Sequence, residues 1–203
     1  MCTCTLRGVM NVASKQLPVF ALLLALAGSH ASRAQSRRQI NVEKSVLTVR
    51  VYKTGLFSAF AHDHEVRAPI QSGSFDEQKP SVEFKVITRE MKVLDPGVSE
   101  SDRSQVQSTM LSSKVLDSDR FGEISFRSTS VESDGPSKWR VQGELALHGQ
   151  TRPVTVEVEG SGERYRGSAR LRQTEFGITP ISIGGGAIKV KDEILIEFEI
   201  VGK

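Results

Sequence analysis

Apolar and polar residues alternate with a period of two along most of this chain. Leu47, Val49 and Val51 are opposed by Thr48, Arg50 and Tyr52, and Val82, Phe84 and Val86 by Glu83 and Lys85. Ile124 and Phe126 alternate with Ser125 and Arg127, while Trp139, Val141, Leu145 and Leu147 share a parity against Arg140, Gln142 and Glu144. Val154, Val156 and Val158 follow, then Tyr165, Gly167, Ala169 and Leu171 against four arginines, and last Ile194, Ile196, Phe198 and Ile200. Each stretch predicts a strand with one dry and one wet face. Strands at this spacing, joined by short turns, predict a sandwich or a barrel, and a barrel can hold a ligand.

The alternation fails between Val98 and Asp119. Ser99-Glu100-Ser101-Asp102 has the form of a helix start with its capping acid three residues on. Val106, Met110 and Ser113 follow at helical spacing, which predicts one short helix over roughly 101–114, placed to cap an open barrel end. A second brief turn is expected around Asp117 to Phe121.

Ahead of the strands, Lys15 precedes an uncharged apolar run from Leu17 to Ala27 and then Ser32-Arg33-Ala34. That is the layout of a secretory signal peptide over residues 1–34, with Met10 the more ordinary start and residues 35–203 forming one domain. The run is too short for a spanning helix, which needs roughly 20 residues, so no stable membrane span is expected after cleavage. Cys2 and Cys4 both lie ahead of the run, so the mature chain would carry no disulfide and no thiolate metal site. Removal of Arg7, Lys15 and Arg33 leaves 24 basic against 24 acidic residues. A neutral exported domain has no electrostatic basis for binding nucleic acid. The periplasm or the cell exterior is the expected location.

Little in the chain suggests chemistry. In Phe60-Ala61-His62-Asp63-His64-Glu65-Val66, strand parity sends Phe60, His62, His64 and Val66 to one side and Asp63 to the other. Two imidazoles two residues apart occur in some metal sites, but a third ligand has no evident supplier. His62 or His64 is better placed to meet the polar end of a bound molecule. Gly184-Gly185-Gly186 lacks the lysine and helix start of a phosphate loop and reads as a bend. His148-Gly149-Gln150-Thr151 reads as a turn. Small inward residues, Gly167 and Ala169, interleave with many phenylalanines and leave room for a chain-like apolar ligand.

Three ordered motifs then carry a resemblance. They are Val115-Leu116-Asp117-Ser118-Asp119-Arg120-Phe121 running into Ile124-Ser125-Phe126-Arg127-Ser128, the stretch from Gly143 through His148-Gly149-Gln150-Thr151-Arg152-Pro153 to Val154, and Phe176-Gly177-Ile178 with the closing Val190-Lys191-Asp192-Glu193-Ile194. On these the chain resembles the YceI family of exported, lipocalin-like, polyisoprenoid-binding proteins over about residues 40–201. The resemblance implies an all-β, extended eight-stranded antiparallel lipocalin-like barrel with one short capping helix. It implies a long apolar tunnel holding an isoprenoid or similar lipid, lined here by Phe60, Phe84, Phe126, Leu145, Val156 and Phe176. The family's second-strand histidine aligns with His62, and the second imidazole at His64 departs from its pattern. An apolar-ligand carrier or sequestering protein without covalent chemistry or cofactor is therefore expected. An exported enzyme using His62 and His64 through a metal, and a structural module with a filled interior, are the alternatives. Tunnel-bearing barrels can also pair through an edge into a homodimer.

Overall fold

The computed structural model describes residues 37–55 and 63–203. The leader over residues 1–34, Phe60 and His62 lie outside the described residues. The strands are β1 (Arg37–Gln39), β2 (Val46–Thr54), β3 (His64–Arg67), β4 (Ile70–Asp76), β5 (Ser81–Ile87), β6 (Lys92–Val93), β7 (Glu123–Ser133), β8 (Lys138–Leu147), β9 (Gln150–Ser161), β10 (Arg164–Arg172), β11 (Ser182–Ile183) and β12 (Ile188–Val201). One helix, α1 (Glu100–Leu111), separates β6 from β7. All strand pairs are antiparallel.

Twelve strands in the described residues reconcile with an eight-walled barrel once β3 and β4 are followed together. β2 pairs with β3, and β4 pairs with β5. Only Ala68 and Pro69 lie between β3 and β4, and the Ala68 amide still donates to the Leu47 carbonyl at 2.9 Å. Proline has no amide to give, so it fits the point where the strand leaves one neighbour for another. Counted as one bent strand, β3–β4 joins β2, β5, β7, β8, β9, β10 and β12 in a pairing path that returns to its start. The remaining short strands seal edges. β1 runs along β4, and next to it Ile40 bridges to Gly202, so the segment fills the gap between β4 and the end of β12.

The predicted faces hold. Val86, Phe126, Val141, Leu145, Leu171 and Phe176 are buried inside, in a core that extends from Leu47 to Ile178. The outer wall carries cross-strand ion pairs such as Arg170–Glu193 at 2.8 Å and Arg50–Glu65 at 2.8 Å. Arg170–Glu193 is solvent-exposed and Arg50–Glu65 half-buried, and pairs this open to water are each worth about 1 kcal/mol or less.

The helix begins where its cap predicts, with the Ser99 hydroxyl accepting the Asp102 amide at 3.2 Å. It stops at Leu111, three residues short of the expected end. Ser112 turns to extended backbone, and the Leu116 amide folds back to the Met110 carbonyl at 3.0 Å. The brief turn after it is present, with the Phe121 amide bonded to Asp117 at 2.8 Å. α1 is tied to the sheet by Gln107, whose amide nitrogen donates to the Met91 carbonyl at 2.9 Å while its oxygen accepts the Val93 amide at 2.8 Å. One side chain thereby satisfies the edge of β6 as a neighbouring strand would.

Candidate ligand-binding bore

The barrel walls enclose an apolar space in two chambers. The larger, about 350 Å³, takes lining residues from all eight walls and opens among the β4–β5 and β9–β10 turns, at Glu77, Pro80, Ser161 and Gly162. The smaller, about 140 Å³, is closed by Met110 of α1, Leu116, Phe176 and Ile178. Leu47, Phe84, Leu145, Leu171 and Ile196 line both, so these five residues stand between the chambers.

How the bore stays open differs from the expectation at one position. Ala169 lines the larger chamber as anticipated. Gly167 does not contribute open space, because a Cβ there would stand 2.6 Å from the tip of the Phe198 ring, its direct cross-strand partner. Gly143 repeats the arrangement, with the tip of the Phe126 ring 2.4 Å from where its Cβ would be. Each ring lies down along the wall over a residue without a side chain, the device by which aromatics cover glycines in sheets. The glycines make room indirectly, by letting large rings lie flat.

The residues expected to line a tunnel divide as follows. Phe84, Phe126, Leu145 and Val156 line the larger chamber, and Phe84, Leu145 and Phe176 the smaller. Phe84 and Phe126 stack with centroids 5.5 Å apart, and Phe176 is fully buried. His64 lines neither chamber. Its Nδ1 lies 2.7 Å from the Asp95 carboxylate, whose other oxygen accepts the Glu65 amide at 2.8 Å. Asp95 is 2% exposed and has φ +25°, in the Leu94-Asp95-Pro96-Gly97 turn after β6. The imidazole is thus held by a buried carboxylate that sequence reasoning did not single out, although Asp-Pro-Gly marks a turn able to bury one. Among the described residues no group of three or more His, Cys, Asp or Glu is placed to hold a metal ion. His148 sits at the β8–β9 turn with Nδ1 3.1 Å from the Phe176 carbonyl, away from both chambers.

The mouth carries polar groups that sequence reasoning also missed. Tyr165, on the dry face of β10, donates its hydroxyl to Glu77 at 2.9 Å and meets Phe75 edge-on at 5.4 Å. Burial first, and then the bond to Glu77, push the Tyr165 phenol up to about 12. Arg38 donates to the Gly162 carbonyl at 2.8 Å and lies 3.4 Å from Glu163 and 3.8 Å from Glu77. Trp139 donates its indole N–H to the Gly160 carbonyl at 3.2 Å.

A closed antiparallel barrel with a dry interior, one end capped by a helix, defines a lipocalin-like protein. The sequence profile of the YceI-like domain matches residues 34–202, and the chain belongs to that family. A UPF0312 protein of Vibrio parahaemolyticus is 31% identical over 180 aligned positions, covering 84% of this chain and 82% of the relative. A UPF0312 protein of Pseudomonas savastanoi is 31% identical over 141 positions, 64% of this chain and 68% of its own. The names of these relatives assign no reaction. The crystal structure of Burkholderia cenocepacia BcnA shares the fold, with a TM-score of 0.59 at 18% identity over 81% of this chain and 99% of that one. Among the described residues no helix is long and apolar enough to cross a membrane.

Proposed function

We propose that this protein is an exported carrier or sequestering protein that holds one long apolar ligand, isoprenoid-like or fatty, in the barrel bore and performs no covalent chemistry on it. The observation that carries the reading is the bore itself: two apolar chambers on either side of a shared apolar ring of residues, the larger walled by every strand of the barrel and open at one end. A protein whose interior served only as a core would fill that space with its own side chains. The chain of the ligand lies against Phe84, Phe126, Leu145, Val156 and Phe176, with Phe60 and His62 as further contacts that strand parity supplies. His64 serves the β3–β6 connection through Asp95. Burial of an apolar chain yields about 0.8 kcal/mol per methylene, so ten buried methylenes give on the order of 8 kcal/mol before ordering costs, enough for roughly micromolar retention.

Export belongs to the same proposal, with residues 1–34 acting as a cleaved leader and the mature barrel working in the periplasm or outside the cell. Native mass spectrometry of the mature protein after gentle purification tests the reading. The expected result is a co-purifying apolar compound, released on denaturation and replaced on adding a long-chain lipid. Repeated recovery of a barrel that is empty and takes up no added lipid sinks it. The N-terminal residue of protein recovered from the periplasm or medium tests the leader.

A further inference from the structure

We infer that the mouth of the bore selects ligands by the charge of their head: it accepts a neutral or cationic head and rejects an anionic one. This rests on the carrier reading and deepens it. Both chambers are lined by carbon almost throughout, so a polar head cannot follow its chain inward and must stay at the open end. Among the described residues, the titratable ones that line that end are Asp76, Glu77 and Tyr165, and no Lys, Arg or His lines either chamber apart from Arg172 at the capped end.

The charged groups at the mouth are acceptors, and the neutral donors beside them are the hydroxyls of Ser81 and Ser161. The Tyr165 hydroxyl is already donated to Glu77. Asp76 accepts the amides of Gln78 at 2.8 Å and Lys79 at 2.9 Å, so it is fixed in the turn with its charge at the rim. Of the cations beside the mouth, Arg38 is not part of the lining and is occupied by the Gly162 carbonyl, Glu163 and Glu77. Lys79 belongs to the same turn but does not line the chamber. A carboxylate or phosphate arriving here meets two fixed carboxylates and, among the described residues, no lining cation to offset them, while an alcohol, amide or amine finds acceptors.

A unit negative charge roughly 6 Å from one rim carboxylate, at an effective dielectric near 40, is opposed by about tenfold in affinity. The test is a displacement titration with palmityl alcohol, palmitate and palmitylamine, each competing below its micellar concentration for a fluorescent apolar probe, at low salt. It compares wild type with Glu77→Gln, Asp76→Asn and the double variant. Both amides keep an oxygen to accept the existing bonds, so the turn and the Tyr165 contact survive. Glu175→Gln, an acid away from the mouth lining, serves as control.

The wild type should favour the alcohol over palmitate at least about tenfold beyond the ratio in the double variant, with the amine at least equal to the alcohol. High salt should shrink the gap. A palmitate-to-alcohol ratio unchanged between wild type and the double variant overturns the charge selection while leaving the carrier reading in place. Failure of all three compounds to displace the probe ends both.

Discussion

Replacement of Ala169 by isoleucine sets ligand binding and fold stability against each other. Ala169 faces inward from β10, opposite Ile196, and its methyl borders the larger chamber. Isoleucine adds three carbon atoms there and suits a strand. Three methylenes' worth of space denied to a ligand that fills the chamber removes about 2.4 kcal/mol of burial, close to a 50-fold loss of affinity. The same carbons bury themselves in the ligand-free protein. They contribute about 2.4 kcal/mol less the roughly 0.5–1 kcal/mol of lost side-chain freedom. A domain of this length gains roughly 2–4 °C in melting temperature per kcal/mol, so the delipidated variant should melt a few degrees higher. Thermal melts of delipidated protein and displacement of an apolar fluorescent probe give the two readouts. If Ala169→Ile instead lowers stability by about 1–3 kcal/mol, the cost of overfilling a packed core, the bore is already occupied by the protein itself and the argument fails.

Three further perturbations probe the elements around the bore. Gly167→Ala places a Cβ 2.3 Å from the Glu157 carbonyl oxygen and 2.6 Å from the Phe198 ring, and should cost about 1–3 kcal/mol while swinging that ring into the bore, so probe binding falls together with the denaturation midpoint. Asp95→Ala strips the Glu65 amide and the His64 imidazole of their acceptor at once and should destabilise by about 2–4 kcal/mol in chemical denaturation; Asp95→Asn keeps an oxygen for the amide and tolerates the positive φ, so it should recover at least half of the loss. Burial and the bond to Glu77 raise the Tyr165 phenol in the folded protein to about 12 from its ordinary 10.0, so its stabilising contribution is complete below pH 10 and is lost as pH rises through about 12. The chain has two tyrosines, and an absorbance titration of Tyr165→Phe should lack the late-ionising component that the wild type shows.

The barrel was legible in the chain because long strands repeat their period often enough to be read, as β2, β8, β9 and β12 do. Strands of two or three residues have no period, so β1, β6 and β11 were invisible, and so was the division of one wall at Pro69. The helix was legible at its start, where Ser99 supplies a cap through its own side chain, and less so at its end. That end is set by tertiary packing of the segment after it, which returns the Leu116 amide to Met110. Strand parity put Phe84, Phe126, Leu145 and Val156 on dry faces and the family resemblance implied them as lining; all four border the larger chamber. The polar partners were not, since Asp95 meets His64 across 31 residues and Glu77 meets Tyr165 across 88. No local pattern encodes contacts of that separation.

The openness of the bore is a property of register, and residue size along any one strand cannot reveal it. Gly167 and Phe198 sit directly opposite each other on β10 and β12, and Gly143 lies diagonally across from Phe126 on β8 and β7. A slip of one residue would turn the whole inward set of a strand to the wrong face, and a slip of two would set the Phe198 ring opposite Tyr165 or Ala169, each of which has a side chain. The ring would then have to stand into the barrel. The same composition could therefore fold to a filled barrel or a hollow one, and the pairing of a large ring with an absent side chain selects the hollow form. Enlarging the glycine and enlarging Ala169 should thus both reduce ligand capacity while moving stability in opposite directions. Gly167→Ala displaces a ring that already has its place, and Ala169→Ile fills space that nothing occupies.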